Sequence, residues 1–355
     1  MSEKFIWISD EDQSYGHQHG SQTITPSSSF DKNIGFTFKM DAGENTLILL
    51  DTDNKNSIEV NDIHWPRSPI EFKEGYEAVH KAENTDITLG KTINISSGNL
   101  IILGSEGKPV NFYLNSEIFN TYRIKLQNSS SFSIKNSSIV RISGPINTAI
   151  PTLEESTVAM SGKSRLTIET VEKIESIISL SCHFSITESS QTSLTSHHVN
   201  IIDGSNIILQ DNAQMLISSQ VLNIRTDLDE KGCPLFDTNF TLKAGATLLN
   251  LNSLDGIHFP LDIHREDYPK GVFNFMAEGE ENTGKVVIDV APKDANAYGL
   301  NIMLRKNFIA INGKVVETGD QMKYFDFSYG KDIRNGSKQV GTITISLRNP
   351  NLQLP

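Results

Sequence analysis

The chain has 355 residues, a hydrophobic fraction of 37%, a charged fraction of 21% and a formal net charge of −12. That composition suits a folded chain with a large core rather than a disordered one, and the negative charge repels phosphate backbones and anionic lipid surfaces, so nucleic acid is not an expected partner. Two cysteines, Cys182 and Cys233, are too few for a disulfide framework or a cysteine zinc site, and no run of eighteen apolar residues is present to insert into a membrane.

Residues 1–34 read as a polar arm. Its first part, MSEKFIWISDEDQSYGHQHG, has no apolar stretch of the Sec type, so synthesis in the cytoplasm is expected. An extracellular, surface or particle-associated role would then use a signal-less route. His17 and His19 are two potential metal ligands, too few for a site, and no cofactor or metal is expected. Residues 35–86 carry the short strand signals FTFKM, TLILL and SIEV and read as an N-terminal β cap.

From 87 to 251 the chain repeats a frame, Φ-x-x-x-s-x-Φ-x-Φ, with Φ apolar and s small. Overlapping pairs of frames open at residues 87, 126, 152, 178, 201 and 234, and only Thr152, Thr192, Pro234 and Asn250 break the apolar slots. The small slot reads Ser130, Ser138, Ser156, Ser164, Cys182, Ser190, Ser205, Ala213, Thr238 and Ala246, with Lys91 and Asn99 as exceptions. Alternation at the last two Φ positions marks a strand with one buried face. A small residue before it suits an interior corner where a larger side chain would overpack. Asn, Asp and Gly in between tolerate left-handed backbone angles.

Two frames plus a third side close a triangle. The expected fold is therefore all-β: a right-handed parallel β-solenoid of about six coils. Its coils stack at about 4.8 Å. An antiparallel sandwich explains the alternation but neither the small column nor the period of the repeat. The frames LQDNAQMLI, IIDGSNIIL and LKAGATLLN resemble the β-helix repeat of autotransporter passengers and filamentous-haemagglutinin-like adhesins. The resemblance covers residues 87–250 and implies the same fold with a leaning toward surface work.

Residues 104–125 and 218–233 read as long turns, where recognition residues tend to sit. Tyr113, Tyr122 and Arg123 are the binding candidates there, and Phe112 and Phe119 are expected to tuck inward. Residues 252–355 lose the repeat and show hairpin signals, with Asn312-Gly313 at a tight turn, so a C-terminal antiparallel β domain is expected.

Chemistry is sparse. Glu188 and Asp211 fall at one corner position of adjacent coils and are weak candidates for a shared-proton pair or a calcium site, with two solvated corner residues as the plainer reading. His197-His198 lies in a compact turn, and Cys182 is expected to be a buried, inert thiol. The expected role is a non-enzymatic structural or adhesive protein that self-associates into oligomers or fibres. The alternative is a phage-tailspike-like particle protein that binds or cleaves a glycan; a calcium-dependent polysaccharide lyase is the remaining enzyme option.

Overall fold

The computed structural model describes residues 2–8, 11–24, 38–50, 57–61, 93–104, 111–115, 121–122, 124–144, 147–151, 156–170, 176–201, 204–224, 238–254, 257–258, 270–317, 319–334 and 336–354. The chain is mostly β, in one 13-stranded and one 14-stranded sheet whose pairings are predominantly parallel. Among the described residues no helix is long and apolar enough to cross a membrane.

The apolar slots of the repeat become ladders. In the 13-stranded sheet Leu100, Phe132, Val158, Phe184, Ile207, Phe240, Phe273 and Ile309 stand in register. In the 14-stranded sheet Val140, Leu166, Thr192, Met215, Leu249 and Val286 do the same. A third ladder runs through Thr148, Ile178, Val199, Leu222 and Ile257. A buried side chain of this size contributes about 1.5–3 kcal/mol, and ordering each residue's backbone costs about 1–2 kcal/mol. A strand with a few such residues therefore depends on the strands paired on either side of it.

The small slots are interior corners. Ser130, Ser138, Ser156, Ser164, Ser190, Ser205 and Ala213 are all fully or almost fully buried. Serine serves better than alanine at several of them because its hydroxyl meets corner carbonyls: Ser130 donates to Ile95 O at 3.1 Å, Ser138 to Ile102 O at 3.1 Å and Ser205 to Leu180 O at 3.0 Å. Thr192, polar in an apolar slot, is buried and donates its hydroxyl to Met160 Sδ at 3.1 Å.

Two frames differ from the sequence reading by one residue. The expected slots Leu248 and Asn250 face outward, and Leu249 and Leu251 are buried instead, with Thr247 rather than Ala246 in the small slot. The cause is an extra residue at the corner: Leu209 pairs with Leu242 but Asp211 pairs with Gly245. At the other end the corner is one residue shorter, so Leu100 and Ile102 are buried in place of Ile101 and Leu103, and Gly98 takes the small slot assigned to Asn99. Lys91 lies outside the described residues.

The ends also differ. Residues 11–24 are no free arm: Gln13–Gly16 and Gln22–Ile24 pair in parallel with Phe38–Leu50. Phe5, Tyr15, His19 and Phe38 form an aromatic cluster over this end, with Phe5 5.1 Å from Tyr15. Aromatics spaced irregularly in a polar stretch show no period, which is why the sequence reading missed them. The stretches read as long turns contain strands, Asn111–Asn115, Thr121–Tyr122 and the end of Gln214–Ile224.

Parallel pairing continues past residue 251 through Phe273–Phe275, Lys285–Val290 and Ile309–Ile311. The antiparallel part is smaller than expected. Lys338–Leu347 pairs with Lys285–Val290 and with Phe325–Arg334, and Asn312-Gly313 turns a short hairpin. Arg334 locks this cap: its guanidinium grips Asp289 at 2.9 and 3.0 Å and reaches Asn252 at 3.1 Å.

Candidate functional site: the outer face of the 14-stranded sheet

Residues that alternate with the buried ladder of the 14-stranded sheet face the other way. One outward column runs Arg165, Gln191, Gln214, Leu248, Lys285, and the next runs Thr167, Ser193, Leu216, Asn250, Val287. Their members from Arg165 to Asn250 line an open depression of about 270 Å³, and Lys285 and Val287 lie one strand beyond it. Three strand steps of about 4.8 Å make it about 14 Å long.

Its chemistry is mixed. Leu216, 36% exposed, and Leu248 give an apolar floor. Gln191 and Gln214 stand side by side as exposed amides. Arg165 is exposed and, among the described residues, has no acidic partner, whereas neighbouring Arg141 is bound to Glu169 through Nε at 2.7 Å. Asn250 Oδ1 is buried with no hydrogen-bond partner. Among the described residues of the lining, Arg165 is the ionisable side chain, and the outward hydroxyls are those of Thr167 and Ser193.

Glu188 and Asp211 lie at successive stacked positions of the corner that precedes this face. Both have left-handed backbone angles, φ 57° and 63°, in a column with Asn136 and Gly162. Glu188 accepts the Gly162 N–H at 2.6 Å, and Asp211 accepts the Glu188 N–H at 3.1 Å. Each carboxylate thus caps the corner stacked on it.

Tyr113 and Tyr122 are placed by backbone alone, Tyr113 opposite Glu59 and Arg141 and Tyr122 opposite Ala149. Arg123 lies outside the described residues, as does Cys233.

His19, His197 and His198 make ring contacts. His19 stacks on Tyr15 at 4.9 Å and accepts the Gly16 N–H at its Nδ1, 2.9 Å away. His197 and His198 rings meet at 4.5 Å. Cys182 is buried in the small column between Ser156 and Ser205, and burial pushes its thiol up to about 12. Among the described residues no three of His, Cys, Asp and Glu gather to hold a metal.

The outer columns were readable in principle. Arg165, Gln191 and Gln214 occupy the same frame position, immediately after a small slot. Leu248 and Asn250 joined them only through the extra residue at Gly245, which the sequence period hides. The chain matches no protein-family model, no curated protein and no solved structure.

Proposed function

We propose that the chain winds as a right-handed parallel β-solenoid and serves as a non-enzymatic structural or adhesive rod, one that self-associates and presents its turns and C-terminal strands at a surface. The observation that carries this reading is the return of one ladder position after 26, 26, 23, 33, 33 and 36 residues, from Phe132 to Ile309. Repeat stacking of this kind is quasi-one-dimensional, so length and ends govern assembly. Exposed apolar side chains at both ends favour end contacts: Ile6 (62%) and Ile8 (40%) on the first, Tyr298 (74%) and Met322 (49%) on the other.

Negative-stain microscopy and light scattering over a concentration series test the proposal. Rods that lengthen, or oligomers that grow with concentration, are expected, and Ile6→Asp with Ile8→Asp reduces them. A strictly monomeric short rod at high concentration refutes self-association. Discrete trimers favour the particle-protein reading instead.

A further inference from the structure

We propose that the depression on the outer face of the 14-stranded sheet binds a segment of acidic polysaccharide, lying across the strands along the ladder direction. This is a site beyond the rod reading and independent of self-association. Four features point to that chemistry. The first is charge. The chain as a whole carries a net charge of −12, yet Arg165 stands exposed in the lining with no acidic partner among the described residues, and Glu169, on the same strand, is already engaged by Arg141. A guanidinium left unpaired and exposed is matched to a carboxylate, which it takes through two parallel N–H donors.

The second feature is the amide ladder. Gln191 and Gln214 follow Arg165 at successive strand steps of about 4.8 Å, and each brings two donors and an acceptor to its step. A pyranose ring linked through opposite carbons advances by close to one such step, so successive sugars meet successive side chains. A peptide does not fit this way. Extended peptides add to sheet edges through backbone hydrogen bonds, and the strands under this face are paired on both sides.

The third feature is the floor. Leu216 and Leu248 are apolar side chains beside the amides. They suit the C–H faces of a sugar while its hydroxyls reach the amides. The fourth is Asn250, whose Oδ1 is buried without a partner although the residue lines the depression. An amide held by nothing at its oxygen can turn to accept a ligand hydroxyl, which accounts for an acceptor otherwise left unsatisfied.

Titration calorimetry of the full chain with oligogalacturonate, with a neutral β-glucan oligomer of equal length and with poly-glutamate tests the proposal. Binding to the uronate oligomer and clear preference over both controls is expected. Arg165→Ala then weakens binding about tenfold or more, as loss of a charge-assisted hydrogen bond does, and Gln191→Ala with Gln214→Ala weakens it several-fold. All these side chains are exposed, so the variants retain the wild-type circular dichroism. No uronate binding at millimolar concentration, equal binding of poly-glutamate or of the neutral glucan, or an Arg165→Ala variant that binds like wild type would each overturn it. None of those results bears on whether the rod assembles, which the microscopy reads separately.

Discussion

Replacing Gly245 with alanine tests the stacking of the corners more directly than any core truncation. Gly245 has φ 105°, where an L side chain is strained, and a Cβ built on it would lie 2.1 Å from Asp211 O and 2.5 Å from Asp211 Cα. Those are backbone atoms of the adjacent corner, hydrogen-bonded in their own ladder, and cannot swing aside. Gly279 provides the control: its φ is 78°, and a Cβ there meets nothing within 4 Å. Gly279→Ala therefore reports the left-handed backbone penalty alone, about 1–2 kcal/mol. Gly245→Ala adds the overpacking penalty, about 1–3 kcal/mol, for a total of about 2–5 kcal/mol. Urea denaturation of the two variants, compared at constant m, measures the difference. Equal losses would refute the close approach of Gly245 to Asp211, and with it the one-residue shift that places Leu249 and Leu251 in the core.

Arg334→Ala leaves Asp289 buried without its counter-charge and is expected to cost about 3–5 kcal/mol at neutral pH. Burial raises the Asp289 carboxyl above its ordinary value while Arg334 pulls it down, and Arg334 is itself pushed up by its hydrogen bond to Asp289. A raised folded value means the folded state holds the proton more tightly than the unfolded carboxyl at about 3.9. The contribution is complete below that value and is lost as pH rises through the folded one. Without Arg334 the folded value climbs further, so the penalty shrinks as pH falls from 7 toward 4. A penalty constant across that range would count against the buried pair. In a Cys233→Ser background, Cys182 is expected to stay unreactive toward a thiol reagent at pH 8 and to react only on unfolding, because burial pushes its thiol up to about 12. Rapid reaction of the native chain would mean the small column is open.

The sequence by itself determined the unit of construction. A period-two alternation can be buried on one side only, so Phe132, Ile134, Val140 and Ile142 were bound to face inward. Ser130 and Ser138 had to be small because a corner leaves no room behind them. Asn312-Gly313 declared its hairpin because both positions need positive φ. These are local constraints, and local constraints are written in neighbouring residues. The candidate site was not written that way. Glu188 and Asp211 drew attention as acids, yet each is held at its corner by an N–H from the neighbouring corner, a partner 26 and 23 residues away. Arg165, Gln191, Gln214, Leu216, Leu248 and Asn250 carry no motif. They meet because stacking brings four separate strands side by side, and because one added residue at Gly245 turns Leu248 and Asn250 outward. The aromatic end cluster arose likewise, from Phe5, Tyr15 and Phe38 meeting across chain that has no period. Sequence fixes which way a side chain faces when the repeat is regular. Only the stacked structure decides which outward side chains become neighbours, because register between strands depends on the count of residues at every intervening corner.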